Sequence, residues 1–453
     1  MREEFRILAP TAILGYGFPL ASFEAGLLKK PHLIAVDGGS TDPGPYYLGA
    51  GVSFTDRSAV KRDLEIMIRA GKAHCIPIVV GTAGGSGADA HVAWCREIVA
   101  EIAQEHGLCL NVANIRSQQD KAMLQKALAN GEITPLDAVP PLTAAALDAT
   151  TEVVAQMGVE PFIEALAAEP DVILAGRAYD PSCFAAFPIM RGYDPALSLH
   201  LGKILECAAI AATPGSGSDC MFGTIGADYF RVEPLNPARK CTPLSVAAHT
   251  LYEKSDPYIL PGPGGHLDLT GCQFVQESDH TVRVSGTKFV PSAGYTVKLE
   301  GARPMGYRTV SIAGTRDPVM IGQIDAIVQG VRERVADNFR ERALDYRLHF
   351  HLYGKNGVMG ALEPSTGAGH ELGIIIEATA PTEAEADTIC AFARSTMLHY
   401  GYEGRRATAG NLAFPYSPSD LRAGLVYEFS VYHLLHVKDP GAIFPVEIEV
   451  ITP

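Results

Sequence analysis

The stretch HLIAVDGGSTDPGP, from His32 to Pro45, joins a short apolar run to a polar loop. The run from Leu33 to Val36 predicts a buried strand, because four successive apolar residues suit a strand that is covered on both faces. Asp37 and Asp42 then enclose two glycines and a Ser-Thr pair, and the prolines that follow stop any helix there. In open α/β sheets, ligands bind beyond the carboxyl ends of the strands, so this loop is a candidate binding site.

Strand and helix signals alternate along the chain up to about residue 220. The predicted strands are 5–8, 33–36, 76–80, 110–115 and 172–175, and the predicted helices are 57–70, 90–106, 121–129 and 153–168. This alternation predicts a Rossmann-like domain with a parallel sheet and helices on both faces.

Beyond residue 220 the pattern changes to short strands mixed with two long helices, which predicts an α+β domain. The strand patterns are 281–284, 296–299, 308–312, 346–352 and 373–378, and the helices are 321–335 and 383–399. We therefore predict two domains, residues 1–220 and 221–453.

Composition limits the class of protein. Hydrophobic residues make up 47% of the 453 residues and charged residues 19%, which allows a large core and excludes global disorder. The net charge is −14 and no basic patch stands out, which argues against a nucleic-acid partner. No apolar run approaches the roughly 18 residues of a membrane span. Nine cysteines without a CxxC pair, and an amino terminus unlike a signal peptide, predict a cytoplasmic protein.

Two more predicted strands end in loops of the same style. GTAGGSG, from Gly81 to Gly87, follows one strand, and AGRAYDPS, from Ala175 to Ser182, includes the end of another. Glycines let the backbone approach a ligand, and Arg177 could clamp a carboxylate or phosphate. The residues predicted to bind substrate in the three loops are Ser40, Thr41, Gly84, Gly85, Ser86, Arg177 and Asp180. The alternative is that the glycines only form tight turns.

The catalytic candidates are carboxylates and a histidine. Asp37 and Asp42 could ligate a divalent cation, or one could be a general base; alternatively they cap a turn. In the predicted helix 198–212, His200, Lys203 and Glu206 lie on or beside one face. We predict His200 and Glu206 as catalytic residues and Lys203 as a charge stabiliser that binds substrate, with a solvated polar stripe as the alternative. His249 and Glu253, four residues apart, offer two metal ligands, too few to define a metal site.

Several long motifs together resemble the acyclic terpene utilisation family of bacterial proteins. They span residues 5–437 in the order DGGSTDPGPYYLGAG, KRDLE, GTAGGSGA, AGRAYDPS, GKILEC, CTPLSVAAHTLYEKSDP, VKLEGA, GYRT and GNLAFPYSPSD. The resemblance implies a role in the catabolism of acyclic terpenoids, such as citronellol and geraniol, through acyl-CoA intermediates. It also implies a small companion protein as a separate chain, and it assigns no catalytic residue.

Three functions are compatible with these observations. The first is a lyase (hydratase) or isomerase acting on a small carboxylate or its acyl-CoA thioester. The second is a metal-dependent hydrolase of the same substrates, with Asp37, Asp42 and either His91 or His200 as ligands. The third is a non-catalytic binding or assembly subunit that works only with the companion chain. Under each of the three we expect a homo-oligomer. We expect a small anionic metabolite as ligand. The sequence identifies no cofactor, and a divalent metal is the candidate. We also expect Asp42, Gly85 and Arg177 to lie around one pocket.

Overall fold

The computed structural model describes residues 3–252, 256–406 and 408–453. The chain forms two compact units. The first contains the residues up to Arg303 together with Phe429–Pro453, and the second is Pro304–Glu428. The second unit is therefore inserted in the sequence of the first.

The strands are numbered in chain order. They are β1 Phe5–Ala9, β2 Leu33–Asp37, β3 Ile78–Gly81, β4 Leu110–Ile115, β5 Ile133–Pro135, β6 Glu152–Ala155, β7 Val172–Ala175, β8 Met221–Ile225, β9 Phe230–Pro234, β10 Ile259–Gly262, β11 Gly265–Asp268, β12 Gln273–Gln276, β13 Val282–Ser285, β14 Lys288–Pro291, β15 Tyr295–Thr315, β16 Arg347–Tyr353, β17 Leu372–Ala380, β18 Asp420–Val437 and β19 Val446–Ile451.

The helices are numbered in the same way. They are α1 Leu20–Leu28, α2 Pro45–Ala50, α3 Arg57–His74, α4 Asp89–His106, α5 Lys121–Ala129, α6 Ala144–Ala149, α7 Glu160–Leu166, α8 Ser182–Met190, α9 Pro195–Leu205, α10 Pro243–Leu251, α11 Pro318–Gly322, α12 Ile324–Phe339 and α13 Glu383–Leu398.

The main sheet of the first unit has the strand order β12-β13-β9-β8-β1-β2-β3-β7-β4-β19. The central strands β1, β2, β3, β7 and β4 are parallel, and the strands at both ends are antiparallel. The predicted α/β class and its parallel sheet are thereby confirmed. The order β1-β2-β3-β7-β4 differs from the 3-2-1-4-5-6 order of the Rossmann fold, so the Rossmann-like layout is not confirmed.

Apolar side chains cover both faces of the parallel strands, as the continuous apolar runs predict. Along β2, Leu33 and Ala35 face a core formed with α7, α8 and α9, whereas Ile34 and Val36 face a core formed with α3 and α4. Each large apolar side chain buried in this way contributes about 1.5–3 kcal/mol relative to its exposed state. The two cores hold the carboxyl ends of the parallel strands in fixed positions.

Helix α3 shows how local sequence sets the element boundaries. Asp56 caps its amino end by accepting a hydrogen bond from the backbone N–H of Ala59. Leu64 and Met67, four and seven residues after Val60, are fully buried against the sheet. The helix ends at His74, and the next residue, Cys75, takes a left-handed backbone conformation.

One predicted helix is wrong in its first half. Residues 153–168 were expected to be helical, but Glu152–Ala155 form β6, which pairs antiparallel with β15, Leu299 opposite Ala155. The helix α7 begins only at Glu160. The predicted strands 296–299 and 308–312 are both parts of the long strand β15.

The second unit packs helices on one face of an antiparallel sheet. Its strands follow the order β16-β17-β15-β18, and buried residues of β17 such as Ile374 and Ile376 pack with Val331 of α12 and Ile389 of α13. Thr382 starts α13 with a reciprocal capping box to Glu385.

The predicted domain boundary between residues 220 and 221 lies directly before β8, which pairs antiparallel with β1. The division into domains 1–220 and 221–453 stays a prediction.

Gly87, between β3 and α4, lets two backbone segments approach closely. Its φ is +71°, and an added Cβ would lie 2.1 Å from the backbone nitrogen of Arg177. Gly107 has a similar φ of +63° with no atom within 4 Å of an added Cβ. We expect Gly107→Ala to cost about 1 kcal/mol through its left-handed backbone, and Gly87→Ala about 2 kcal/mol more through overlap with Arg177.

Thermal unfolding of the two alanine variants beside the parent protein measures this difference. Equal losses of stability in Gly87→Ala and Gly107→Ala would show that the close approach at Gly87 carries no cost.

Candidate functional site

The three loops singled out from the sequence lie side by side. They follow β2, β3 and β7, which are neighbouring parallel strands. The backbone N–H of Gly38 donates to the carbonyl of Gly81 (2.7 Å), and that of Thr82 donates to the carbonyl of Gly176 (3.2 Å). The carboxyl ends of the three strands therefore present one continuous polar surface.

A buried ion-pair network, comprising Arg177, Asp180, Glu300, Lys298 and Thr41, anchors this surface. Arg177 is 2% exposed, and its Nε donates to Glu300 Oε2 (2.7 Å) while Nη1 donates to Asp180 Oδ1 (2.9 Å). Lys298 Nζ (2.7 Å) and the Thr41 hydroxyl (2.8 Å) contact Oε1 of Glu300. The network fixes the segment after β7 against β15.

The network keeps Glu300 charged. Burial alone would raise the pKa of this carboxyl, but the charges of Arg177 and Lys298 outweigh burial and lower the pKa to about 2. Arg177 thus gives its Nε and Nη1 donors to protein acceptors. Its predicted role as a clamp on a substrate carboxylate stays a prediction, and its observed contacts are those of a positioning residue.

Asp37, the last residue of β2, differs from the other acids. It is 5% exposed, and among the described residues its Oδ1 atom has no hydrogen-bond partner. Burial raises the pKa of the Asp37 carboxyl well above its ordinary value; the negative charge of Asp180 adds to this, Arg177 opposes it, and Glu206 raises it further. The site therefore favours the protonated form of this acid.

Helix α9 brings a second acid to the same region. Lys203 Nζ lies 2.5 Å from Glu206 Oε1, and both side chains are buried. Burial opposes the charged form of Lys203, but Glu206 outweighs it and raises the pKa of the ammonium group. The electrostatic interaction of Glu206 with Asp37 joins this ion pair to the strand ends.

His200 lies apart from this group. Its Nδ1 contacts the Thr287 hydroxyl (2.7 Å), its Nε2 contacts the Thr250 hydroxyl (3.1 Å), and its ring meets the edge of Phe230. These contacts place the imidazole in the core beside α10 and β9. The catalytic role predicted for His200 stays a prediction.

Two residues of the loop after β2 have different surroundings. Thr41 belongs to the buried network, but Asp42 is exposed, and its backbone N–H donates to Ser40 Oγ (3.2 Å). This hydrogen bond is that of a side-chain-capped turn, the alternative considered for the loop. Asp37 and Thr41 are therefore buried at the strand ends, whereas Asp42 is exposed.

Gly84 and Gly85 serve close packing. Both have positive φ, and an added Cβ would lie 2.6 Å from His91 at Gly84 and 2.7 Å from Phe54 at Gly85. Ser86 in the same loop is buried, and its hydroxyl has no hydrogen-bond partner within the part of the chain that the structure describes. The Ser86 hydroxyl therefore has bonding capacity for a ligand.

The metal-ligand set considered from the sequence does not assemble. Across residues 3–252, 256–406 and 408–453, no group of three or more His, Cys, Asp and Glu side chains could hold a metal ion. His91 instead contacts the carbonyl of Val52 (3.1 Å). Glu253, paired with His249 in the sequence analysis, lies outside the described residues.

An apolar pocket of about 290 Å³ adjoins the segment after β7. Its lining residues are Gly158, Val159, Glu160, Tyr179, Ser182, Ile189, Pro195, Leu199, Leu260, Gly262, Pro263, Gly264, Gly265, His266, Leu267, Phe289 and Tyr295. Tyr179 and Ser182 belong to the same loop as Arg177 and Asp180. The Ser182 hydroxyl is buried, and no described residue bonds to it.

A comparison with known families settles the affiliation of the chain. The model of the family described as acyclic terpene utilisation family protein AtuA matches residues 56–219 and 236–418, which is most of the sequence. The chain belongs to the AtuA family. Comparisons with curated proteins and with solved structures gave no match. The resemblance seen in the motifs is confirmed, and membership points to a role in the utilisation of acyclic terpenes.

The described part of this AtuA-family protein has no helix with both the length and the apolar character that a membrane crossing requires.

Sequence reasoning gave no site role to several residues of this region. Glu300 follows Leu299 in the motif VKLEGA, inside a strand. Fully buried carboxylates are rare, so an acid at this position was the one sequence signal for Glu300. Thr82, whose hydroxyl lies 3.4 Å from Arg177 Nη1 and 3.2 Å from the Ala178 nitrogen, carried no comparable signal. Neither did Ser182.

The buried network predicts an unequal effect of two glutamate substitutions. Glu300→Gln should destabilise the protein by about 3–5 kcal/mol, because it leaves buried cations without their counter-charge. Glu447→Gln removes the exposed ion pair with Arg116 (2.9 Å) and should cost no more than about 1 kcal/mol. Urea unfolding of both variants measures the two losses; similar small losses would mean that the network contributes little to stability.

The raised pKa of Asp37 predicts a pH-dependent gain in stability on substitution. Because folding raises the pKa of this carboxyl, stability falls as pH rises from the unfolded value of about 3.9 towards the folded pKa. Asp37→Asn removes that loss, so its stability relative to the parent should rise by up to about 1.4 kcal/mol per pH unit within the window.

The difference in urea midpoint between Asp37→Asn and the parent, followed from about pH 4 to about pH 7.5, checks this slope. Asp42→Asn, an exposed position in the same loop, is the matched control. A constant difference between Asp37→Asn and the parent over the whole range would contradict the assignment.

Proposed function

We propose that this AtuA-family protein is a catabolic enzyme that performs acid–base chemistry on a small acyclic acyl compound. The substrate is a carboxylate or its acyl-CoA thioester, and the reaction is of the hydratase (lyase) or isomerase type. One observation carries the proposal: Asp37 is a buried acid at the strand ends, its site favours the protonated form, and its Oδ1 atom lacks a partner among the described residues.

Buried polar atoms without partners are rare in proteins, and they require an explanation where they occur. Three such oxygen atoms belong to Asp37, Ser86 and Ser182, which follow or end the neighbouring strands β2, β3 and β7. Each of these atoms has hydrogen-bonding capacity for a polar group of a substrate. The serine hydroxyls can donate hydrogen bonds to a carbonyl oxygen, and this supports the loops around Gly84 and Gly85 as the binding region.

Two acids in different environments supply the two halves of a hydration reaction. Asp37 in its protonated form donates a proton to the α-carbon of an unsaturated acyl group. Glu206, held by Lys203, accepts a proton from the water molecule whose oxygen bonds to the β-carbon. The α-proton and the β-hydroxyl together are one water molecule, and transfer of the proton from Glu206 to Asp37 restores both acids.

The other site residues position these groups. Arg177 bonds both Glu300 and Asp180, and the charge of Asp180 raises the pKa of Asp37. Thr41 and Lys298 hold the other oxygen of Glu300. In this proposal Arg177 and Asp180, predicted to contact substrate, shape the environment of Asp37, whereas Ser40 accepts a hydrogen bond from the backbone N–H of Asp42.

The remaining expectations stay predictions. They concern the homo-oligomer, the small companion chain and the cytoplasmic location. The ligands proposed from the sequence for a metal-dependent hydrolase do not support that alternative. The described residues form no metal-binding cluster of acids, histidines and cysteines.

Deuterium incorporation tests the proposed chemistry. The parent protein in D2O should introduce deuterium at the α-carbon of short branched unsaturated acyl-CoA thioesters, detected by mass spectrometry. Asp37→Asn should lower the rate by about 10²–10⁴-fold, the usual contribution of a general acid or base. Asp42→Asn should keep the parental rate.

Absence of incorporation by the parent across the thioester series would contradict acid–base catalysis. Equal rates in the parent and in Asp37→Asn would remove Asp37 from the chemistry.

A further inference from the structure

We propose that the outer edge of β19 is an interface at which two copies of this chain pair, β19 against β19, to form one continuous sheet. The occupant of the edge is a second copy of the same chain, related to the first by a two-fold axis. This inference is independent of the acid–base chemistry proposed above, and it gives the homo-oligomer expected from the sequence a defined contact surface.

β19 is the last strand of the main sheet, beside β4. The whole strand pairs with β4, from Val446 opposite Ile115 to Ile451 opposite Leu110. Its other side has no strand partner within the part of the chain that the structure describes. Edge strands pair readily with a further strand unless lysines, prolines or bulges prevent it. The sequence of β19, VEIEVI, contains neither lysine nor proline.

The hydrogen bonds to β4 determine which backbone groups of β19 point outward. The backbone N–H of Arg116 donates to the carbonyl of Pro445 (3.1 Å), which extends the register of the two strands by one pair. Hydrogen-bonded pairs alternate along an antiparallel ladder. The odd-numbered residues of β19 therefore direct their backbone groups to β4, and the even-numbered residues Val446, Ile448 and Val450 direct theirs to the free edge.

These outward groups select one antiparallel register between two copies. With Ile448 on the two-fold axis, each Ile448 lies opposite its counterpart, and Val446 lies opposite Val450 of the second copy. Each of these pairs exchanges two backbone hydrogen bonds. Registers centred on residue 447 or 449 would leave one outward-facing residue of each copy without a strand residue opposite.

The apolar side chains of β19 match in this register. Val446 packs at the margin of the core formed with α7, α8 and α9, and Ile448 and Val450 lie on the same face of the strand. Ile448 is 46% exposed and Val450 is 63% exposed. Because residues directly opposite each other share a face, pairing buries these side chains against their counterparts and removes apolar area from water.

The acidic side chains of β19 lie on the other face, where Glu447 meets Glu449 of the second copy. Like charges directly opposite each other are unfavourable, but each glutamate already holds an arginine. Arg116 Nη2 lies 2.9 Å from Glu447 Oε1, and Arg96 donates to Glu449 through Nε (2.8 Å) and Nη2 (2.6 Å).

These arginines give the interface its charge complementarity. A guanidinium has five N–H donors, so Arg96 can donate further hydrogen bonds to Glu447 of the second copy. Arg116 can do the same for Glu449 of the second copy. Each carboxylate then lies between two guanidinium groups, and the like-charge contact becomes an alternating row of charges.

Sedimentation velocity of the full-length protein tests the interface. A six-residue strand pair is a small contact, so we expect a reversible dimer whose fraction rises between about 1 and about 100 µM protein. Ile448→Lys should weaken the dimer at least about 30-fold, because it removes both isoleucines and places two ammonium groups on the axis.

The opposite edge of the main sheet provides the control. Val275 of the edge strand β12 is 53% exposed, and Val275→Lys should dimerise like the parent. Both lysine variants should melt at the parental temperature, since both positions are exposed. A monomer at every concentration, or equal effects of the two substitutions, would overturn the assignment of the interface to β19.

Disulfide cross-linking tests the register without disturbing the interface. The exposed native cysteines Cys75 and Cys109 are first replaced by serine. In that background Ile448→Cys should form a covalent dimer under mild oxidation, because opposed Cα atoms in a hydrogen-bonded pair are about 5.5 Å apart, within the range of a disulfide.

Two further cysteine variants are matched controls for the register. In the proposed dimer Val446→Cys and Val450→Cys each place their own thiols about 14 Å apart, so neither should cross-link alone. An equal mixture of the two proteins should cross-link, because residue 446 of one copy lies opposite residue 450 of the other. Non-reducing electrophoresis reads each result. Cross-linking of Val450→Cys alone, or none by Ile448→Cys, would contradict the register.

Discussion

The buried contact between Arg177 and Glu300 organises the strand ends of the first unit. A guanidinium and a carboxylate can be removed from water together only when their charges and hydrogen bonds are matched, and here Lys298 and Thr41 complete the match at the second carboxylate oxygen. The contact fixes the loop after β7. Through Asp180, which Arg177 also binds, it sets the electrostatic environment of Asp37.

Local sequence was sufficient for much of the fold. The strand at 33–36 and the helix at 121–129 were predicted correctly because continuous apolar runs and amphipathic periodicity are local properties. Residues 152–155 were missed because their strand partner, 299–302, lies far away in the sequence. The antiparallel strand β8 beside β1 was missed for the same reason.

The site was predictable to the same extent. Parallel neighbouring strands must end at one edge, so the loops with Asp37, Gly81 and Arg177 could be placed together from the sequence. Glu300 could not be added, since 123 residues separate it from Arg177. The i, i+3 spacing of His200 and Lys203 put them on one helix face, yet buried partners that no local pattern reveals hold the imidazole in the core.

The strand β19 completes the main sheet by pairing with β4, and Arg96 and Asn114 both bind Glu449 there. Asn114 and Glu449 are 335 residues apart. At a translation rate of about 5–20 residues per second, β4 waits roughly 20–70 s for this partner. During synthesis the outer edge of β4 is an open strand, a surface on which nascent chains pair incorrectly. Translation of the inserted second unit, Pro304–Glu428, lengthens the interval before β19 can complete the sheet.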